Sequence, residues 1–414
     1  MREIPQSLRP FLVFAILSGL FCLSMFYRVT NAVIAPNLIQ DLGLTAETLG
    51  ILGGAFFYSF ALFQIPMGPM LDRIGPRFMI SVLSLIGALG ASLFAFSTSF
   101  NGALLGRILI GLGMASALMG TMKVFTLWFT ASRFATLVGI LYSIGTFGNA
   151  FAGSPLAYLT SSIGWRMTFY LTSGVTALFA FLAFWILGRE PGREEKVAPS
   201  PSTESRMGLL QSARLVLSSL AFWQIGIMAF FRYGTFVGLQ GLWLGPYLME
   251  IKGYSPVQTG NVLVLLSLGM IVGGPISGRL SDQTVHSRKA VAVWGLTFYA
   301  MSLFPLIGIP EIQDPLWYGL LFFLSGFFNS FGMLMYSHVK ELFPASISAT
   351  VMTWVNFFSM AGGAIFMPAL GRVIESFQRV DHKYPAEAYH LAFLICFLGM
   401  TASLIFYAFS KTER

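Results

Sequence analysis

The sequence predicts an all-α polytopic membrane protein of twelve transmembrane helices in two pseudo-symmetric six-helix halves. Three observations predict it: apolar runs long enough to cross a bilayer, basic residues gathered in alternate loops, and a repeat relating the two halves. Of 414 residues, 56% are hydrophobic and 10% charged, with a mean hydropathy of +0.74, whereas an ordinary soluble domain is roughly 25% charged. A surface that apolar needs lipid as its solvent. The runs are long and rich in Leu, Phe, Gly and Ala, which excludes a closed barrel of short alternating strands.

A spanning helix takes about 20 mostly apolar residues. Read in order, the chain offers spans at 11–35, 49–70, 78–98, 102–126, 135–159, 167–187, 219–246, 258–279, 290–309, 316–339, 349–370 and 389–409. The run from Phe11 has the length to span and no small-residue cleavage site after it, so a retained helix is expected rather than a removable signal peptide. Between spans six and seven lies "GREPGREEKVAPSPSTESR", rich in Pro, Ser and Glu. It marks a linker, residues 188–214, between an N-terminal half, 1–187, and a C-terminal half, 215–414.

Lys and Arg settle the expected orientation. Arg2, Arg9, Arg73, Arg77, Arg133, Arg189, Arg193, Lys196, Arg206, Arg214, Arg279, Arg288, Lys289, Lys411 and Arg414 fall on the side of the termini, against Arg166, Lys252, Arg372, Arg379 and Lys383 opposite. By the positive-inside rule both termini are cytoplasmic, in a multi-pass protein of the plasma (inner) membrane. The net charge of +8 then belongs to inner loops beside lipid and implies no nucleic-acid partner.

The halves read as copies. "PNLIQDLGLTAETLG" from Pro36 aligns without gaps to "PYLMEIKGYSPVQTG" from Pro246, and the same offset pairs Gly50 with Gly260, Gly68 with Gly278 and Asp72 with Asp282. "WFTASRFAT" from Trp128 matches "LFPASISAT" from Leu342. Cys22 and Cys396 sit in apolar runs without metal-like spacing, so no disulfide, metal site or cofactor is expected. His286, His338, His382 and His390 are scattered, which gives no cluster for a membrane enzyme. Nothing reads as an ATP-binding loop.

Three motifs carry a family resemblance: "GPMLDRIGPR", with Gly68, Asp72, Arg73, Gly75 and Arg77; its weaker counterpart "GRLSDQTVHSRK", with Asp282; and "RILIGLGMA", with Arg107, Gly111 and Gly113. With twelve spans in two repeated halves, they resemble the major facilitator superfamily over nearly the whole chain. The resemblance implies a secondary transporter whose halves rock about a mid-membrane site, with spans one, four, seven and ten lining the cavity. It also implies that the first two motifs act as charge-dipole latches in gating. One departure is the fifth span, "GTFGNAFAGSPLA", which lacks the Gly-Pro common in antiporters of this family.

Every acidic residue falls in a loop or at a span end, while Arg28, Arg107, Lys123 and Arg232 lie within spans one, four and seven, and His338 and Lys340 near the inner end of span ten. A cation at the bilayer centre costs at least about 2.5–3.5 kcal/mol, so it faces water, a partner or a ligand. With no membrane acid available, the natural ligand is an anion. Arg28 stands eight residues before Pro36 in "PNL", which resembles the anion-binding arginine of the organophosphate:phosphate antiporter branch. Arg232 stands fourteen before Pro246, and Gly238 occupies the position matching Arg28. For Arg28 the alternative is a hydrogen bond to unwound backbone or a tyrosine. Arg107 is read as structural or coupling-related, Lys123 as snorkelling or coupling, and His338 as an interfacial anchor or the remaining titratable coupling group.

Polar residues on cavity helices complete the candidate site: Tyr27, Asn31, Tyr58, Tyr142, Asn149, Gln240, Trp243, Asn329 and Asn356. Helix-to-helix hydrogen bonds are the competing use for each. The abundant Phe and Met are read as packing or lipid-facing. The expectation is a monomeric transporter of a small organic anion, a carboxylate or phosphate ester, bound at Arg28 and Arg232 and moved with a proton or against another anion. The alternatives are a polyspecific exporter of hydrophobic compounds and an amino acid or metal-chelate transporter.

Overall fold

The computed structural model describes residues 8–188, 214–308, 315–343, 347–379 and 383–411, apart from some side chains within helices, those at positions 68 and 72 among them. Among these residues there is no β-strand, and eleven helices are long and apolar enough to cross a membrane: Arg9–Val29, Ala46–Met67, Pro76–Phe96, Phe100–Trp128, Ser154–Leu187, Leu220–Ile251, Pro256–Val285, Arg288–Ile307, Leu316–Leu342, Val351–Glu375 and Ala386–Ala408. A shorter apolar helix covers Leu137–Phe151. The twelfth span is concealed in the fifth helix. Ser154–Leu187 runs to 34 residues, but inside it Gly164 has φ 80° and ψ 155°, a conformation that only glycine adopts without strain. The chain turns there. Residues before Gly164 complete the fifth span, which is interrupted after Phe151, and the sixth begins at Trp165.

The chain divides into two compact units, Met1–Leu44 with Ala55–Ser200, and Thr45–Gly54 with Pro201–Arg414. The first turns of the second span thus belong to the second unit. There the Glu47 N–H donates to Glu375 Oε2 at 2.6 Å, Arg372 pairs with the Glu47 carboxylate, and the Ala46 N–H donates to the Tyr384 hydroxyl at 3.3 Å. Most of the expected linker, residues 189–213, lies outside the described residues.

In the first unit, Val13, Leu17, Leu20, Phe21, Ile80, Val124, Phe125, Leu141 and Leu187 form one buried cluster across five spans. Lipid tails are as apolar as these side chains, so close packing supplies the attraction. The fourth-span glycines show how close: a Cβ at Gly111 would collide with the Phe56 carbonyl, and one at Gly113 with the Gly87 backbone. In the second unit the seventh span widens into π turns at Leu239–Trp243 and Tyr247–Ile251. Each wide turn rotates the helix face carried past it. Counting back from Pro246 therefore does not reach the residue that counting back from Pro36 reaches.

Candidate functional site

The first span is interrupted at Thr30, between Arg9–Val29 and Asn31–Leu42. Carbonyls in the last turn of a helix need partners from outside it. The Tyr27 carbonyl accepts from Arg107 Nη1 at 2.9 Å, and the Tyr27 hydroxyl meets Thr176 Oγ1 at 3.0 Å. Beside this break, Arg28 is 5% exposed. Its guanidinium carbon stands 4.6 Å from the Phe60 ring centroid and 6.0 Å from that of Phe56, and the Arg107 guanidinium carbon is 5.5 Å from the same Phe56 ring. Two cations thus converge on one phenyl ring, whose π cloud attracts both. Asn31, on the next turn, is fully buried with neither its Nδ2 nor its Oδ1 hydrogen-bonded, and Asn149 Oδ1 is likewise unmatched. Tyr142 packs edge-on against Phe21 at 5.7 Å, and Tyr58 is 45% exposed. Lys123 is half-buried, its carbonyl accepting from the Thr126 hydroxyl at 2.8 Å.

The phenylalanines change the reading of the sequence. Phe56 and Phe60, read as packing or lipid-facing, are buried beneath the guanidiniums. Their spacing of four places them on one helical face, which was the available signal in "AFFYSFALF".

In the second unit the expected residues are engaged with one another and with the backbone. Arg232, 3% exposed, donates from Nη1 to the carbonyl and Oδ1 of Asn329 at 3.2 and 2.7 Å. Gln240 Nε2 donates to Ser267 Oγ at 2.9 Å, and Trp243 Nε1 to the Met367 carbonyl at 3.0 Å. Tyr336 reaches Asn356 Oδ1 at 3.4 Å and Ser359 Oγ at 3.1 Å. His338 is fully buried, its Nε2 donating to the Lys411 carbonyl and its Nδ1 hydrogen-bonded with the Tyr407 hydroxyl, each at 3.0 Å. The Lys411 carbonyl can only accept, so Nε2 carries a proton. In this role His338 anchors the end of the twelfth span.

The family model described as Major Facilitator Superfamily matches residues 16–368. The chain belongs to the major facilitator superfamily. It is a multi-pass membrane transporter, not an enzyme. Among curated relatives of this superfamily member is the "Probable sulfoacetate transporter" of Cupriavidus necator, 27% identical over 305 residues, which are 70% of this chain and 71% of the relative. Another is the D-galactonate transporter of Escherichia coli, 25% identical over 376 residues, 84% of this chain and 86% of the relative. A solved bacterial homologue of the human lysosomal transporter Spinster shares the fold, with a TM-score of 0.80 at 18% identity over 98% of both chains.

The superfamily's loop motifs take definite positions. Gly75 opens the third span with φ 91°, and Arg77 Nε donates to the Phe184 carbonyl at 2.9 Å, its guanidinium carbon 4.1 Å from the Phe184 ring centroid. Arg73 is exposed, and the side-chain environments at Gly68 and Asp72 lie outside the described residues. In the second half Arg288 bridges Asp282 at 3.7 Å and Glu341 at 2.7 Å.

At the far end of the first unit, Asp41 accepts from the Trp165 indole N–H at 2.9 Å and pairs with Arg166, which also reaches the Ser97 carbonyl at 3.2 Å. The Trp165 hydrogen bond, aided by Arg166, holds the Asp41 carboxyl below its ordinary pKa against an opposing desolvation. In the second unit the acid near the end of the seventh span is Glu250, one residue before the position that matches Asp41, and its Oε2 accepts from the Tyr389 hydroxyl at 2.9 Å.

Proposed function

We propose that this protein is a secondary transporter of a small organic anion, a carboxylate, sulfonate or phosphate ester, moved by alternating access with its charged group bound at Arg28. The observation that carries the reading is Arg28 itself: a nearly buried guanidinium in the middle of a span, over two phenyl faces and next to the unmatched amide of Asn31. A guanidinium offers forked donors to a planar or tetrahedral anion, and Asn31 adds a donor and an acceptor for a neighbouring substituent. Both relatives are named as transporters of organic acids, which supports the sign of the substrate. The sequence supplies no acid inside a span, so the transported proton travels with the substrate, or a second anion returns in exchange. The distribution of Lys and Arg supports an orientation with both termini in the cytoplasm, at the plasma (inner) membrane.

The test is counterflow into proteoliposomes of the purified protein, with sulfoacetate, D-galactonate and glycerol 3-phosphate as probes. Wild type should accumulate at least one of them and Arg28→Ala none. Transport by Arg28→Ala at the wild-type rate, or a substrate range made only of cations, would overturn the reading.

A further inference from the structure

Arg232 entered as the second-half partner of Arg28, yet its surroundings match those of Arg107. Its guanidinium donates from Nη1 to the backbone carbonyl of Asn329. Immediately beyond Asn329 the tenth span stops being α-helical: Pro315–Ser330 gives way to a 3₁₀ turn at Phe331–Met333, and the α-helix resumes at Leu334. Such a tightened stretch leaves carbonyls of the preceding turn in want of donors. The Arg232 stem lies where Gly332 has no side chain, since a Cβ there would overlap Arg232 Cδ and stand 2.6 Å from Nε. Arg107 does the same work elsewhere, donating to the Tyr27 carbonyl where the first span is interrupted at Thr30.

The correspondence has a direction. By the sequence repeat the first span answers to the seventh and the fourth to the tenth. In the first unit the arginine stands on the fourth span and its acceptor carbonyl on the first. In the second unit the arginine stands on the seventh and its acceptor carbonyl on the tenth. The same pair of helices is joined, with donor and acceptor exchanged.

We infer that Arg232 is a positioning residue that holds the break in the tenth span open, the exchanged counterpart of Arg107, and is not a ligand of the transported anion. Its effect on transport runs through the resumed helix, Leu334–Leu342, which carries Tyr336 onto Asn356 and Ser359 of the eleventh span. The angle at the break sets where Tyr336 arrives. Because Gly332 makes room for the arginine, the two residues act as one unit.

Three variants test this. Arg232→Met keeps the stem and removes the donors, Arg232→Lys restores one donor, and Gly332→Ala displaces the stem while leaving the charge. Hydrogen exchange of the purified protein should rise at least tenfold in the 331–336 amides of Arg232→Met, return most of the way in Arg232→Lys, and rise again in Gly332→Ala. The double variant Arg232→Met with Gly332→Ala should be no worse than either alone. In D-galactonate counterflow, Arg232→Met should lose at least tenfold in maximal rate, with KM within twofold of wild type. A tenfold rise in KM at an unchanged maximal rate would make Arg232 a ligand and overturn the inference. So would unchanged exchange at 331–336, or additive effects of the two substitutions. The exchange measurement needs no substrate, so it decides the matter even where D-galactonate is not carried and the transport reading fails.

Discussion

The two halves of the protein distribute interior charge differently. The first unit gathers two guanidiniums, Arg28 and Arg107, around the ring of Phe56. The second has Arg232 against Asn329, and at Gly238, eight residues before Pro246 in sequence, it has no side chain, with a Cβ site 3.3 Å from Leu370 Cδ1. A duplicated fold can thus keep its helix pairing while its halves hold their interior cations differently, one pair around a phenyl ring and a single guanidinium on an asparagine. The halves also finish differently at the acid that ends their leading spans: Asp41 meets an indole and a guanidinium, Glu250 a phenol.

The severest way to break this comparison is to install the missing cation. Gly238→Arg should give no gain in anion affinity and should cost about 3–5 kcal/mol of stability, as an uncompensated buried charge does; a thermal melt with and without D-galactonate reads both. Next comes Arg28→Lys beside Arg28→Ala in counterflow. Truncation of a buried charged contact costs about 2–5 kcal/mol, at least roughly 30-fold in apparent affinity, and lysine should recover part of it because it keeps the charge without the fork. A smaller effect should follow Phe60→Leu, which removes one cation–π face: about 0.5–2 kcal/mol, read as a rise in KM with the maximal rate retained.

The smallest effect concerns Asp41. Asp41→Asn should cost about 0.2–1 kcal/mol, the range of an exposed ion pair. Because the folded carboxyl titrates below its unfolded value of about 3.9, its contribution is present above that pH and is lost as pH falls through the folded value. Melting temperatures of wild type and Asp41→Asn should therefore converge on acidification from pH 6 to pH 3. Added salt should narrow the same gap, and do so less for Tyr389→Phe at the other clamp.

Much of the architecture was legible because a bilayer imposes its own length on a helix. The twelve apolar runs, the repeat from Pro36 to Pro246 and the loop motifs all follow from that constraint and from spacing. The fifth span was harder, since the interruption after Phe151 and the turn at Gly164 depend on backbone angles that "AGSPLA" and "SIGW" do not dictate alone. Arg28 was legible as a buried cation, because no acid near it in sequence explains it. Its aromatic shelf was hidden by the abundance of phenylalanine, which has many uses in a membrane. The direction of Arg232 was out of reach for another reason. Its acceptor includes a backbone carbonyl, and backbone leaves no mark in a composition or a motif. The π turns of the seventh span then broke the residue count by which the two halves were compared.

The imidazole of His338 spends both nitrogens on the closing turns of the chain, one on the Tyr407 hydroxyl and one on the Lys411 carbonyl. For anyone attaching a fluorescent reporter or a purification handle, that fixes where the graft belongs. A junction after Lys411 leaves that carbonyl where the imidazole meets it; one placed before it keeps the contact only if the grafted backbone follows the same path, and low yield of the fusion would then report on the splice and not on the transporter.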